Sequence, residues 1–374
     1  MAWCEPHERV YVNPSFLNTD HGRIPCEACH KGYPQEPDWQ TAHEGLVRDP
    51  TFPDADEACG ECHENTASTA KNSLHYTLAP FENTIMARAN KKEKGILERV
   101  SRARERHCST CHSSCGQCHV SRPNYVEGGL LAGHLFQRSP PMDITCASCH
   151  SGRIYKEFTG GNDDYSADVH YDKIHMTCMD CHTGTEMHAD ARGVATRFDL
   201  PERPRCRNCH SDVVSESPKT GAHKIHRDKV ACQVCHGRAN KSCFNCHVGT
   251  DKQGRPYYKS RETRILFKIG LNLNKTEDRP YNYVVLRHPP ADPALFDFYV
   301  KDGLSDFERL PTWKLGTPHN IQRVTPQNKT CNSCHGNASL FLRKEDMADW
   351  EQEINAKVMV PEAKIPAPVS DLEQ

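Results

Sequence analysis

Twenty of the chain's 21 cysteines stand in ten copies of one pattern, Cys-x-x-Cys-His. The first five copies are Cys26, Cys29 and His30; Cys59, Cys62 and His63; Cys108, Cys111 and His112; Cys115, Cys118 and His119; and Cys146, Cys149 and His150. The other five are Cys178, Cys181 and His182; Cys206, Cys209 and His210; Cys232, Cys235 and His236; Cys243, Cys246 and His247; and Cys331, Cys334 and His335. Cys4 alone is left over; it reads as a free terminal thiol, with an attached lipid as the alternative. Two thiols three residues apart sit on one side of a helical turn. They are placed to add to the two vinyl groups of a haem, and the next histidine to reach the iron as its proximal ligand. Zinc ribbons also pair cysteines, but they have no need of a histidine directly after the second one. Histidine fills 23 of 374 positions. Ten in that place by accident have a chance of roughly 10⁻¹² against the signature. The pattern predicts about ten covalent haem c groups, each with its iron.

A six-coordinate iron needs a second ligand, and 13 histidines stand outside the motifs. The ten expected as distal ligands are His21, His43, His75, His134, His170, His175, His223, His226, His288 and His319. His170 with His175, and His223 with His226, form a local repeat: a histidine pair just ahead of a motif. His7, His107 and His188 are held in reserve, although a helical stripe of Ile85, Ala89, Ile96, Val100 and His107 would turn His107 inward. Methionine is the rival ligand and would raise the potential. Met142, Met176 and Met179 read equally well as packing residues. The expectation is bis-histidine ligation at most sites.

The elements that position these groups must be small. Nine motifs fall between Cys26 and His247. The hydrophobic share is 36%, with 22 Gly and 12 Tyr. Counting Gly in place of Tyr gives about 39%, below the roughly 45–50% of a globular chain. The predicted fold is mostly irregular coil with short α-helices wrapped round a chain of haems, whose faces supply the missing apolar burial. Three segments are expected: a motif-dense region 1–250, a motif-free elaboration 251–330 that donates distal histidines, and 331–374 with the tenth motif. Asn83 to His107 reads as a helix, split at Gly95, with a basic outer face from Arg88 to Arg106. A small β element is expected near 264–287. The Pro-rich acidic tail after Met359 reads as an extended arm. Cys108 and Cys115 are seven residues apart and Cys232 and Cys243 eleven, which predicts two close haem pairs.

The segment 108–123, CSTCHSSCGQCHVSRP, resembles a paired-haem stretch of the multihaem c-type cytochromes of anaerobic, metal- or sulfur-respiring microbes. The motifs carry that resemblance over residues 26–335. It implies attachment outside the cytoplasmic membrane, in the periplasm or at the cell surface, with an export signal already removed. It implies redox partner proteins, and a homopolymer or a membrane-associated respiratory complex. Nothing in the sequence is long and apolar enough to span a membrane. With 47 basic and 49 acidic residues, nucleic acid is not an expected partner. Ten haems would take the net charge to roughly −12 oxidised and −22 reduced. The expected function is electron transfer within a longer conductor or extracellular filament, and not enzyme catalysis. The alternatives are a discrete periplasmic carrier and a multihaem oxidoreductase acting on small nitrogen or sulfur oxyanions. An enzyme would keep one iron position open, so spin state separates the two classes.

Overall fold

The computed structural model describes residues 10–51, 57–162, 165–190, 192–200, 202–215, 218, 220–239, 244–261, 267–288 and 292–370. Cys4, His7 and Cys243 lie outside the described residues. The chain divides into two compact units, each assembled from three separate stretches. The first comprises Met1–Asn83, Cys108–His150 and Thr177–Arg203; the second comprises Thr84–His107, Ser151–Met176 and Pro204–Gln374. This division cuts across the segments expected from the sequence. It gives motifs one to six to the first unit and seven to ten to the second.

The motifs fold as single turns. Cys26–His30, Cys115–His119 and Cys232–His236 are α-helical, while Ser109–Cys111, Cys178–Asp180 and Cys331–Ser333 are 3₁₀ turns. In the second, sixth, seventh and tenth motifs the histidine N–H donates to the carbonyl of the first cysteine, at 2.8–2.9 Å. One turn of chain thereby sets the first thiol and the imidazole on the same face. The ninth motif departs from this. Cys246 and His247 lie on strand β1 (Phe244–Thr250), which pairs antiparallel with β2 (Pro256–Arg261).

The two units differ in what they bury. Among the described residues, the buried apolar side chains of the first unit are Ala67, Val120, Ala147, Ala189, Val194 and Leu200. None is aromatic. The second unit has a core built on β3 (Lys268–Leu271), β4 (Tyr283–Arg287) and β5 (Lys314–Leu315), an antiparallel sheet in the order β3-β4-β5. Val284, Val285 and Leu286 of β4 pack there with Trp313, Phe341 and Leu342. Part of the expected β element, residues 264–266, lies outside the described residues. The expected long helix is two helices, Ala79–Arg88 and Lys94–His107. Gly95 falls in the first turn of the second helix, not at the break. Arg88 was expected on the outer face but is 1% exposed. Its guanidinium donates to the carbonyls of Phe307, Leu310 and Pro311 and lies over the Phe307 ring. Burial pushes its pKa down to about 10.

The tail is also not a free arm as far as residue 370. Gly336 N–H donates to Pro366 O at 2.7 Å, and Asn332 pairs with Val369 through both backbone groups. Gly336 has φ +71°, and a Cβ there would meet Pro368 at 2.6 Å. Only glycine lets the tail lie against the tenth motif this closely.

A buried ion pair ties the sheet to the helix Lys156–Thr159: Arg287 on β4 forks onto the carboxylate of Glu157, which is 1% exposed. Replacing Glu157 with Gln leaves Arg287 charged and short of its partner. We expect a loss of about 3–5 kcal/mol in urea unfolding of the second unit. A loss below about 1 kcal/mol would mean the pair behaves as a solvated one.

Candidate metal centres

Seven of the motif histidines face a histidine from outside the motifs. His21 meets His63, His134 meets His30, and His75 meets His150. His188 meets His119, His170 meets His210, His223 meets His236, and His226 meets His335. In all seven the ring centroids stand 6.0–6.1 Å apart. Rings in van der Waals contact have no reason to share one spacing. A metal ion between two imidazoles does impose one. Two metal–nitrogen bonds of about 2.0 Å, each extended by about 1.1 Å from nitrogen to ring centre, give about 6.2 Å.

The second ring nitrogen says which atom is free to bind. Nδ1 of His30 bonds to Val47 O at 2.8 Å, and Nδ1 of His119 to Gln137 O at 2.7 Å. His236 uses Gln322 O, His335 uses Ala367 O, His226 uses Ala222 O and His134 uses Tyr11 O. A carbonyl only accepts, so in each case Nδ1 carries the proton and Nε2 keeps its lone pair. His170 Nδ1 lies 2.9 Å from Asp168, whose carboxylate also caps the helix Val169–Ile174, and His223 Nδ1 lies 2.7 Å from the Thr220 hydroxyl. Metal-bound histidines are oriented in this way by a partner on the other nitrogen.

Burial and a facing imidazole disfavour the proton on His21, His75, His188 and His223. Burial, then the nearby His150, push His75 down to about 4. Burial lowers His21, His188 and His223, each helped by its facing motif histidine. Neutral imidazole is the form that ligates. In the ninth motif, His247 Nε2 is buried without a hydrogen-bond partner among the described residues. A buried lone pair with nothing to bind is costly, so an electrophile fits that place too.

The other expected ligands are placed differently. His288 is buried, its Nε2 bonded to Glu351 at 2.5 Å and its ring edge-on to Trp313. It serves the polar interior of the second unit and leaves the candidate ligand set. His107, a reserve, is buried with Nε2 2.6 Å from the Tyr299 hydroxyl. His43 holds Nδ1 at Trp39 O, His319 at Thr317 O, and His175 caps the helix Val169–Ile174 at φ 56°. His188, also a reserve, is one of the seven facing histidines. The signal that would have promoted it is its place at the end of Gly184–His188, the first helix after the sixth motif.

Among the described residues, the 19 cysteines form no disulfide. Several touch a cysteine of another motif: Cys59 with Cys115, Cys111 with Cys149, Cys146 with Cys178, and Cys206 with Cys232. Among the described residues, no three or more His, Cys, Asp or Glu side chains gather to hold a metal ion. The imidazoles come in twos. Among the described residues, no helix is long and apolar enough to cross a membrane. No family model matches the chain, and no curated protein or solved structure matches it.

Proposed function

We propose that the chain is a multihaem c-type cytochrome that carries electrons along about ten covalently attached haems. The observation that carries the reading is the common 6.0–6.1 Å spacing of seven motif and non-motif imidazoles. Two facing imidazoles would supply two protein ligands to a haem iron. The thiols one and four residues before each motif histidine would supply the covalent links. Haem, when bound, supplies a one-electron ferric/ferrous couple.

The side chains then have plain tasks. Each motif histidine and its facing partner would hold the iron as two protein ligands. The groups bonded to Nδ1 fix these rings in orientation. With two protein ligands on the iron, water and small substrates would be kept off the metal, which favours transfer over catalysis. For the third and ninth motifs, His43 and His319 are the proposed second ligands. Redox partner proteins and a compartment outside the cytoplasmic membrane belong to the same proposal.

The test is direct. Denatured protein from cells with haem-attachment machinery should carry the added mass of ten haems, and its optical spectrum should be low-spin. Eight haems or fewer, or a strong high-spin band, would overturn the reading.

The ring planes make a second prediction. Three pairs lie at 24–32° and four at 62–80°. Near-parallel imidazoles split the iron d-orbitals rhombically, whereas near-perpendicular ones leave two of them almost degenerate. Electron paramagnetic resonance of the ferric protein should therefore show both rhombic and highly anisotropic low-spin signals. A single homogeneous signal would contradict the ring geometry.

A further inference from the structure

The motifs of the first unit do not touch in the order in which they follow one another along the chain. The thiol of Cys59, in the second motif, contacts Cys115 of the fourth, and Cys29 of the first lies close enough to influence it. Cys118 of the fourth motif lies near Cys146 of the fifth. The fifth then has two thiol contacts of its own. Cys149 meets Cys111 of the third motif, and Cys146 meets Cys178 of the sixth.

Packing supports both arms. The turn Asn124–Val126 packs against Ser109–Cys111 of the third motif and against Ala147–His150 of the fifth. Its Tyr125 ring, 43% exposed, lies near both Cys111 and Cys149. On the other arm, Met142–Cys146 packs against Cys178–Asp180.

We infer that the redox sites of the first unit form a branched relay with the fifth motif as its hub: first, second, fourth, fifth, then a fork to the third and to the sixth. The inference rests on the proposed haem reading. Each motif sulfur would bond to a carbon on the rim of its macrocycle. Two sulfurs in contact therefore bring two macrocycle rims together. Tunnelling falls exponentially with distance, so the pairs that touch carry the current. An electron entering at the first site has two exits, and one of them passes beneath a partly exposed tyrosine.

The test removes single sites and follows electron redistribution after a pulse of radiolytic reductant. The intact protein is weighed first; absence of covalent haem would sink the haem reading itself. Cys108→Ala with Cys111→Ala removes the third site. With nine haems present, its fast redistribution among the other sites should match the parent. A relay in sequence order would be cut by that change, and loss of the fast phase would overturn the branch. Cys146→Ala with Cys149→Ala removes the hub and should cut the third and sixth sites off from the first, second and fourth, which still exchange electrons quickly. If the thiol variants do not accumulate, His75→Ala keeps every thioether and opens the fifth iron to carbon monoxide, which locks it ferrous. The first, second and fourth sites should then still exchange electrons while the third is cut off. A third site that still equilibrates with the second would overturn the branch.

Discussion

Chain produced without haem attachment should lose the first unit and keep the sheet core of the second. The first unit buries six apolar side chains among its described residues, three of them alanines. Burying a Val or Leu contributes about 1.5–3 kcal/mol. Ordering a single residue's backbone costs about 1–2 kcal/mol. Six small side chains cannot hold segments that span most of residues 10–83, 108–150 and 177–203. The second unit is different. Its largest cluster holds 13 buried residues, with Trp313, Phe341 and Leu342 among them. Hydrogen exchange on apoprotein should find protection at Lys268–Leu271, at Tyr283–Arg287 and around Leu342. It should find almost none from Cys26 to His150 outside the Thr84–His107 stretch. Protected amides throughout the first unit would show that haem is not its core.

Replacing both His223 and His226 with Ala should open two irons at once. The helix Gly221–His226 is six residues long, yet it presents one imidazole to His236 and another to His335. Each single substitution should raise one high-spin signal, and the double should raise two. Alanine is the best helix former, so the helix itself should survive. Added imidazole should restore the low-spin spectrum, because the site lacks a ligand and not its shape. If imidazole restores nothing, or no high-spin iron appears, these histidines are packing residues only.

The proposed attachment pattern is local, because five consecutive residues specify it. The histidines that face the motifs were legible only in part. His21, His170, His223 and His226 stand close before a motif, and the structure gives each a facing motif histidine, though not always in the motif that follows. His170 meets His210, past the sixth motif. His134 meets His30 across 104 positions, a distance no spacing rule describes. His288 shows how a sequence reading fails: a histidine at the end of a buried strand looks the same whether it faces a metal or Glu351. The sheet near 283 was visible as a β-rich run, but its partners in the core, from Trp313 to Val360, lie far along the chain. Arg88 was misplaced because its three carbonyl partners lie more than two hundred residues away.

The interleaving of the two units has a consequence for the timing of synthesis. A chain is made from its amino terminus, and domains ordinarily fold as they emerge. Here the first unit cannot close before residue 203 exists, and His30 waits for residue 134. The last pairing of all, His226 with His335, needs the tenth motif and the tail that lies against it. The first and fourth motifs are complete in their cysteines before the facing His134 and His188 are made, whereas in the other five pairs the non-motif histidine comes first. On the proposed haem reading, an iron attached early at either of those two motifs would wait for its second ligand. During that interval a cell would have to shield it from stray ligands, or finish the chain quickly.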